Sequence, residues 1–100
     1  MSPIEQVPAP EWQTWLEANQ GLLLDVREPH EWSLGTLPGA VQISVGDIPD
    51  RLEELVDKTA VLVVCRSGAR SEQVAVFLSM NGLSNVANLA GGMKALGMQD

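Results

Sequence analysis

One cysteine and one histidine in a hundred residues close off several kinds of chemistry at once. Cys65 alone makes no internal disulfide, and Cys65 with His30 falls short of the three or four protein ligands of a zinc site, so no metal or other cofactor is expected. Basic residues are scarce: six Lys and Arg against thirteen Asp and Glu leave a formal net charge of −7. A chain that neutralised nucleic-acid phosphates would carry a basic stripe, so no nucleic-acid partner is expected. No apolar stretch approaches the ~20 residues of a membrane span, and Met1-Ser2-Pro3-Ile4-Glu5 has no basic region leading into an apolar run. Neither a membrane segment nor a signal peptide is therefore expected, and the lone thiol suits a reduced, cytoplasmic protein. The sequence also lacks internal repeats, low-complexity tracts and linkers, and its 100 residues, 45% hydrophobic, suit a single domain over positions 1–100.

The charge that is present is unevenly spread. Residues 1–57 hold eleven acids and only Arg27 and Arg51, whereas residues 58–94 hold Lys58, Arg66, Arg70 and Lys94 against Glu72. A small anion is drawn to the second half.

Apolar runs alternate with helical patterns along the chain. Trp12, Trp15 and Leu16 fall at i, i+3 and i+4, on one face of a short helix ending near Asn19-Gln20-Gly21. Leu22-Leu23-Leu24-Asp25-Val26 and Ala60-Val61-Leu62-Val63-Val64-Cys65 are nearly continuous apolar runs, which suit strands covered on both faces. Val41-Gln42-Ile43-Ser44 and Val86-Ala87-Asn88-Leu89 are briefer strand candidates. Leu52, Leu55 and Val56 mark a helix opened by Pro49, and Val74, Phe77 and Leu78 mark one closed by Asn81-Gly82. The alternation predicts an α/β fold, a mostly parallel sheet with helices on both faces.

The segment Val63-Val64-Cys65-Arg66-Ser67-Gly68-Ala69-Arg70-Ser71 carries the chemistry. A buried strand ends at the cysteine, a short loop follows, and a helix begins near Ser71. Ligands of open parallel sheets bind beyond the carboxyl ends of strands, and the unpaired N–H groups of a following helix form an anion site. Gly68 lets successive N–H groups curl around one centre, while Arg66 and Arg70 add positive charge. The same field acts on the thiol. With a pKa near about 8.5, only ~3% of a cysteine is thiolate at pH 7; a fall of about two units makes it roughly three-quarters thiolate. A moderate shift serves attack best, because a fully neutralised thiolate is a poor nucleophile. The residues thus point to a sulfur nucleophile attacking an anionic donor, with loop N–H groups and Arg70 holding charge in the transition state.

Four ordered motifs are similar to those of the rhodanese family: Leu23-Leu24-Asp25-Val26-Arg27-Glu28-Pro29-His30-Glu31-Trp32, then Gly35-Thr36-Leu37-Pro38-Gly39-Ala40, then Cys65-Arg66-Ser67-Gly68-Ala69-Arg70-Ser71, then Leu89-Ala90-Gly91-Gly92-Met93. They cover residues 22–93. The resemblance implies a single rhodanese domain with a five-stranded parallel sheet, and a sulfurtransferase cycling through a persulfide on Cys65. It implies a small anionic sulfur donor such as thiosulfate, with cyanide, a thiol or a thioredoxin-like protein as acceptor. Two positions depart from the family's habit: Thr36 stands where His is frequent, and Leu96 near where an aromatic residue is frequent. Neither removes an expected catalytic group.

Loop length ranks the enzymatic alternatives. Cys65 to Arg70 is C-x4-R, a six-residue loop, whereas related cell-cycle phosphatases of this fold resemble C-x5-R. The wider cradle suits phosphate, so phosphatase and arsenate reductase activities rank below sulfur transfer. A persulfide carrier or a protein-binding module of the same fold would need the same cysteine and cradle, and stands beside the turnover enzyme.

Cys65 and Arg70 are therefore the expected catalytic residues, with Arg66, Ser67, Gly68, Ala69 and Ser71 binding substrate. Each has a plainer reading. A lone cysteine is commonly a small buried hydrophobe, but this one precedes a glycine and two arginines. Arg66 reads equally as a solvated surface charge. Ser67 and Ser71 suit local backbone bonding at a turn and helix start. Asp25 and Arg27, at the carboxyl end of a strand, read as supports, with Arg27 pairing to Glu31 or Asp25. Trp12 and Trp15 read as core, and His30 and Trp32 as surface and core elements.

Overall fold

The computed structural model describes residues 4–98. In chain order it forms β1 (Glu5–Val7), α1 (Trp12–Asn19), β2 (Leu22–Asp25), α2 (Pro29–Trp32), β3 (Val41–Gln42), β4 (Val61–Val64), α3 (Ala69–Met80), β5 (Val86–Leu89) and α4 (Gly92–Ala95). All five strands are parallel, in the order β1-β5-β4-β2-β3. The alternation of apolar runs with helices requires this arrangement, because a strand apolar on both faces needs cover above and below.

β4 lies at the centre and every one of its residues is buried. Its side chains alternate between two cores. Val61, Val63 and Cys65 face one side with Leu24, Val26, Val74, Ala75 and Leu78. Leu62 and Val64 face the other with Leu23, Ala87, Leu89 and Met93, where Trp12, Trp15, Leu16 and Leu96 also pack. The expected core role of the two tryptophans therefore holds, and Leu96 fills core space as an aliphatic side chain. Burying each large aliphatic residue contributes roughly 1.5–3 kcal/mol, so the sheet's centre anchors the fold.

The chain runs outward from β2 to β3, then returns to lay β4 on the other side of β2 and continues to β5. The direction of winding reverses between β2 and β4, and the crevice beyond their carboxyl ends is where open sheets of this kind take ligands. Asp25 pairs in register with Val64, so the residues that follow each strand emerge side by side.

Four departures from the sequence reading have physical reasons. Pro49 opens 3₁₀ turns over Pro49–Glu54, kinked at Arg51, in place of the expected helix; Leu55 is buried and Val56 is exposed. β1 carries one buried residue, Val7, in three, so it offers no apolar run to detect. The two four-residue helices α2 and α4 are too short to show a period. Helix α3 begins at Ala69, two residues before the expected start, because Gly68 adopts φ +102° and turns the chain into it.

Candidate functional site

Cys65 follows the last residue of β4, and its side chain is fully buried. The chain then folds back over the sulfur. Sγ accepts the backbone N–H of Gly68 at 3.1 Å and that of Ser71 at 3.3 Å. Gly68 is the cap residue of α3 and has no side chain to receive the orphan N–H groups of the first turn. The sulfur takes that place, although it lies three residues upstream.

Loop carbonyls point away from the sulfur and are tied down elsewhere. Cys65 O accepts Met93 N–H at 2.9 Å, and Arg66 O accepts Lys94 N–H at 3.0 Å. Gly68 O accepts Glu72 N–H at 3.1 Å and Asn88 Nδ2 at 3.3 Å. This arrangement depends on Gly92, where a Cβ would collide with the carbonyls of Cys65 and Arg66 and where φ is +62°. The first turn of α4 is thus pressed against the loop's outer side, leaving the inner side to N–H groups.

Two opposed effects act on the thiol. Burial pushes the Cys65 pKa up; hydrogen bonds from the Ser71 side chain and from the backbone of Ser71, Gly68 and Ser67 outweigh it, so the net direction is down. The Ser71 hydroxyl donates its proton to Asn88 Oδ1. The backbone N–H groups are fixed donors and are the secure cause of the lowering.

Of the expected binding residues, Arg66, Ser67 and Ala69 are exposed around the cradle, while Gly68 and Ser71 are buried against the sulfur. Arg70 is half-buried and does not hang free over the thiol. Its Nη1 and Nη2 donate to Glu31 Oε1 and Oε2 at 2.8 and 2.9 Å. This bidentate pair holds the Glu31 carboxyl down to about 2, with the Arg70 hydrogen bonds as the main cause. It also raises the Arg70 pKa.

Asp25 and Arg27 do form the expected pair, with Arg27 Nη2 2.9 Å from Asp25 Oδ2 and both side chains 1% exposed. Arg27 further donates to Glu31 O at 3.2 Å and Gly35 O at 2.7 Å, bracing the wall beside the loop. Glu31's carboxylate therefore belongs to Arg70, while only its backbone carbonyl meets Arg27. His30 is exposed on α2 and has no contact with the cradle among the described hydrogen bonds.

The sequence reading did not single out Glu31 as the partner of Arg70, Gly92 as the clamp on the loop, or Asn88 beneath Ser71. Asn88 had a visible signal, a polar side chain inside an otherwise apolar strand. No group of three or more His, Cys, Asp and Glu suited to a metal occurs among the described residues. Nor, among them, is any helix long and apolar enough to cross a membrane. Chemically, the arrangement presents a buried, acidified sulfur at the floor of a ring of N–H groups.

A family model described as a rhodanese-like domain matches residues 9–99. YtwF of Bacillus subtilis is 43% identical over 81 residues, spanning 80% of this chain and 78% of that protein. A protein named sulfurtransferase from Allochromatium vinosum is 42% identical over 74 residues, 74% of this chain and 69% of that one. Among solved structures, a rhodanese-like domain protein from Staphylococcus aureus is 31% identical, covers 96% of this chain and 94% of its own, and has a TM-score of 0.85.

Proposed function

The chain belongs to the rhodanese-like domain family, and on that premise we propose that it transfers sulfane sulfur from thiosulfate or a similar anionic donor to a thiol, cyanide or thioredoxin-like acceptor through a persulfide on Cys65. The observation that carries this reading is the convergence of backbone N–H groups on a buried sulfur. Fixed dipoles aimed at one atom stabilise negative charge there without reorganising at the moment of reaction.

In the first half-reaction the Cys65 thiolate attacks the outer sulfur of thiosulfate. The new S–S bond forms as the old one breaks, and sulfite departs with the electron pair. In the second, an acceptor thiolate or cyanide attacks the terminal sulfur of the persulfide and Cys65 leaves as thiolate. No outside oxidant or reductant is required. Because Cys65 is fully buried, the donor's terminal sulfur must enter the ring to reach it. Arg66, Ser67, Ala69 and Arg70 receive the donor's oxygens in this scheme, while Gly68 and Ser71 hold the sulfur's charge. Asp25 and Arg27 support the wall. A reducing compartment such as the cytoplasm would keep Cys65 ready for loading.

The direct test is the intact mass of reduced protein after brief exposure to thiosulfate, followed by glutathione. One added sulfur atom, lost again with the thiol and absent in Cys65→Ser, is the expected result. If protein whose Cys65 still reacts with an alkylating agent gains no sulfur, the transfer reading is wrong.

A further inference from the structure

Helix α3 carries a stripe that the transfer scheme uses at one end only. Arg70, Gln73, Val74 and Phe77 fall at i, i+3, i+4 and i+7, so they share a face that starts at the mouth of the cradle. Past Arg70 this stripe is one wall of an apolar groove, and Val45, Ile48 and Pro49 form the other, in and between the 3₁₀ turns at Val45–Asp47 and Pro49–Glu54. Ile48 and Val74 are 2% and 4% exposed, whereas Val76 and Met80, further along α3, are 41% and 80% exposed and extend the apolar surface.

Size and charge decide what such a groove takes. Its volume is about 190 Å³, below the roughly 300–1,000 Å³ of small-molecule sites but above the ~150 Å³ of an apolar cavity that admits benzene. It has room for one phenyl or branched aliphatic side chain. Its rim is acidic. Positions 45–57 hold Asp47, Asp50, Glu53, Glu54 and Asp57 against Arg51, and Arg51 is bonded to Glu54 at 2.8 and 2.9 Å. Asp47 and Asp50 flank Ile48 and Pro49 along the chain, and both are exposed. This rim repels small anionic thiols and attracts a basic chain.

We propose that the groove between α3 and the 3₁₀ turns docks a protein acceptor of the Cys65 persulfide, a basic segment that seats one apolar side chain there and so brings its own cysteine to the cradle. The proposal rests on the sulfur-transfer reading and names the acceptor for it. Val74 and Phe77 lie about 6 and 10 Å beyond Arg70 along the helix axis. An extended chain covers that span in two or three residues, so the apolar anchor stands two or three positions from the acceptor cysteine. The acceptor thiol gives its proton to solvent and its thiolate attacks the terminal sulfur. The bond from that sulfur to Cys65 Sγ breaks, Cys65 leaves as thiolate, and the acceptor carries the persulfide.

The first measurement needs no sulfur. Dye-labelled peptides with Ser at the acceptor position, Phe three residues after it and Lys on either side are titrated with the full chain and followed by fluorescence anisotropy. The Phe peptide is expected to bind about tenfold more tightly than its Ala counterpart, and the Lys peptide at least about fivefold more tightly than one with Glu in place of Lys, a gap that narrows as salt is added. Phe77→Ala should reduce the Phe preference to about twofold or less, and Gln73→Arg, on an exposed position, should erase the Lys preference. Equal binding of the Phe and Ala peptides, or preferences that survive both variants, overturns the proposal. If Phe77→Ala does not fold, Gln73→Arg alone decides it. A dimer of the full chain that Gln73→Arg dissociates gives the groove to a second copy and also overturns it.

The second measurement loads Cys65 with sulfur and times its loss to the same peptides with Cys in place of Ser, each rate divided by that peptide's rate with a small disulfide. The same order of preference is expected. Docking without persulfide formation would sink sulfur transfer alone, and sulfur passed to all the peptides at one rate would sink the role of the groove alone.

Discussion

Arg27 and Arg70 both grip a carboxylate beside the same crevice, yet their surroundings set them to different work. Arg27 and Asp25 are 1% exposed, and Arg27 also donates from Nη1 to the carbonyl of Glu31 and from Nη2 to that of Gly35. Such a guanidinium is tied in several directions at once and sealed from solvent, so it serves as masonry. Arg70 and Glu31 are 36% and 13% exposed, and the pair stands at the mouth of the cradle. An exposed pair contributes about 0–1 kcal/mol, so an incoming anion can compete for the guanidinium. The two pairs are also linked in series. Arg27 holds the backbone of Glu31, and the Glu31 carboxylate holds Arg70. Burial, more than partner chemistry, separates the fixed pair from the exchangeable one.

The sharpest way to break this comparison is Arg27→Met. Leaving Asp25 buried without a counter-charge is expected to cost about 3–5 kcal/mol, which for a domain this size lowers Tm by more than about ten degrees. A thermal melt reads it. Adding Asp25→Leu should recover part of the loss, and a double variant no more stable than the single would remove buried charge as the cause.

Arg70→Met should behave in the opposite way. Stability falls by less than about 1 kcal/mol, while the thiosulfate concentration giving half-maximal sulfur loading rises about tenfold or more, the worth of a lost hydrogen bond to a charged group. Loss of folding in step with loading would make Arg70 a second structural arginine.

The smallest expected effect is in acid. Glu31 titrates near 2 in the folded protein, below its ordinary 4.5. A lowered pKa means that the folded state favours the charged form. Its contribution is therefore fully present above pH 4.5 and lost as pH falls through 2. Wild type and Glu31→Gln should differ by less than about 1 kcal/mol above that window and converge below it. Stability curves that stay apart at the acid end would assign the difference to something other than this ion pair.

What the sequence made legible follows signal strength. The runs at 22–26 and 60–65 are long and apolar on both faces, and they became β2 and the buried β4. Cys65, Gly68 and Ser71 were readable because a strand, a glycine and a helix follow one another at short range, and local chain geometry then determines which N–H groups can meet the sulfur. The partner of Arg70 was not readable, since Glu31 is 39 residues away and Arg27 lies nearer to it along the chain. Only folding shows that Arg27 is already committed to Asp25. Gly92 and Asn88 escaped notice for the same reason: each acts on a loop more than 15 residues upstream, Asn88 on Gly68 20 residues away, through contacts that no spacing rule encodes. The helix expected after Pro49 failed because Arg51 leaves the helical region and the following turn tightens to 3₁₀.

The clamp formed by the start of α4 also has a consequence in time. Met93 and Lys94 supply the N–H groups that hold the carbonyls of Cys65 and Arg66 outward. β5 must likewise be present before β1 has a strand to pair with. During synthesis, therefore, Cys65 leaves the ribosome well before the segment that turns its loop inside out toward the sulfur. Until residues 91–94 follow, the nascent thiol lacks its finished ring of donors and has the reactivity of any other cysteine, so the loop acquires its chemistry only after a segment more than twenty residues downstream has folded onto it.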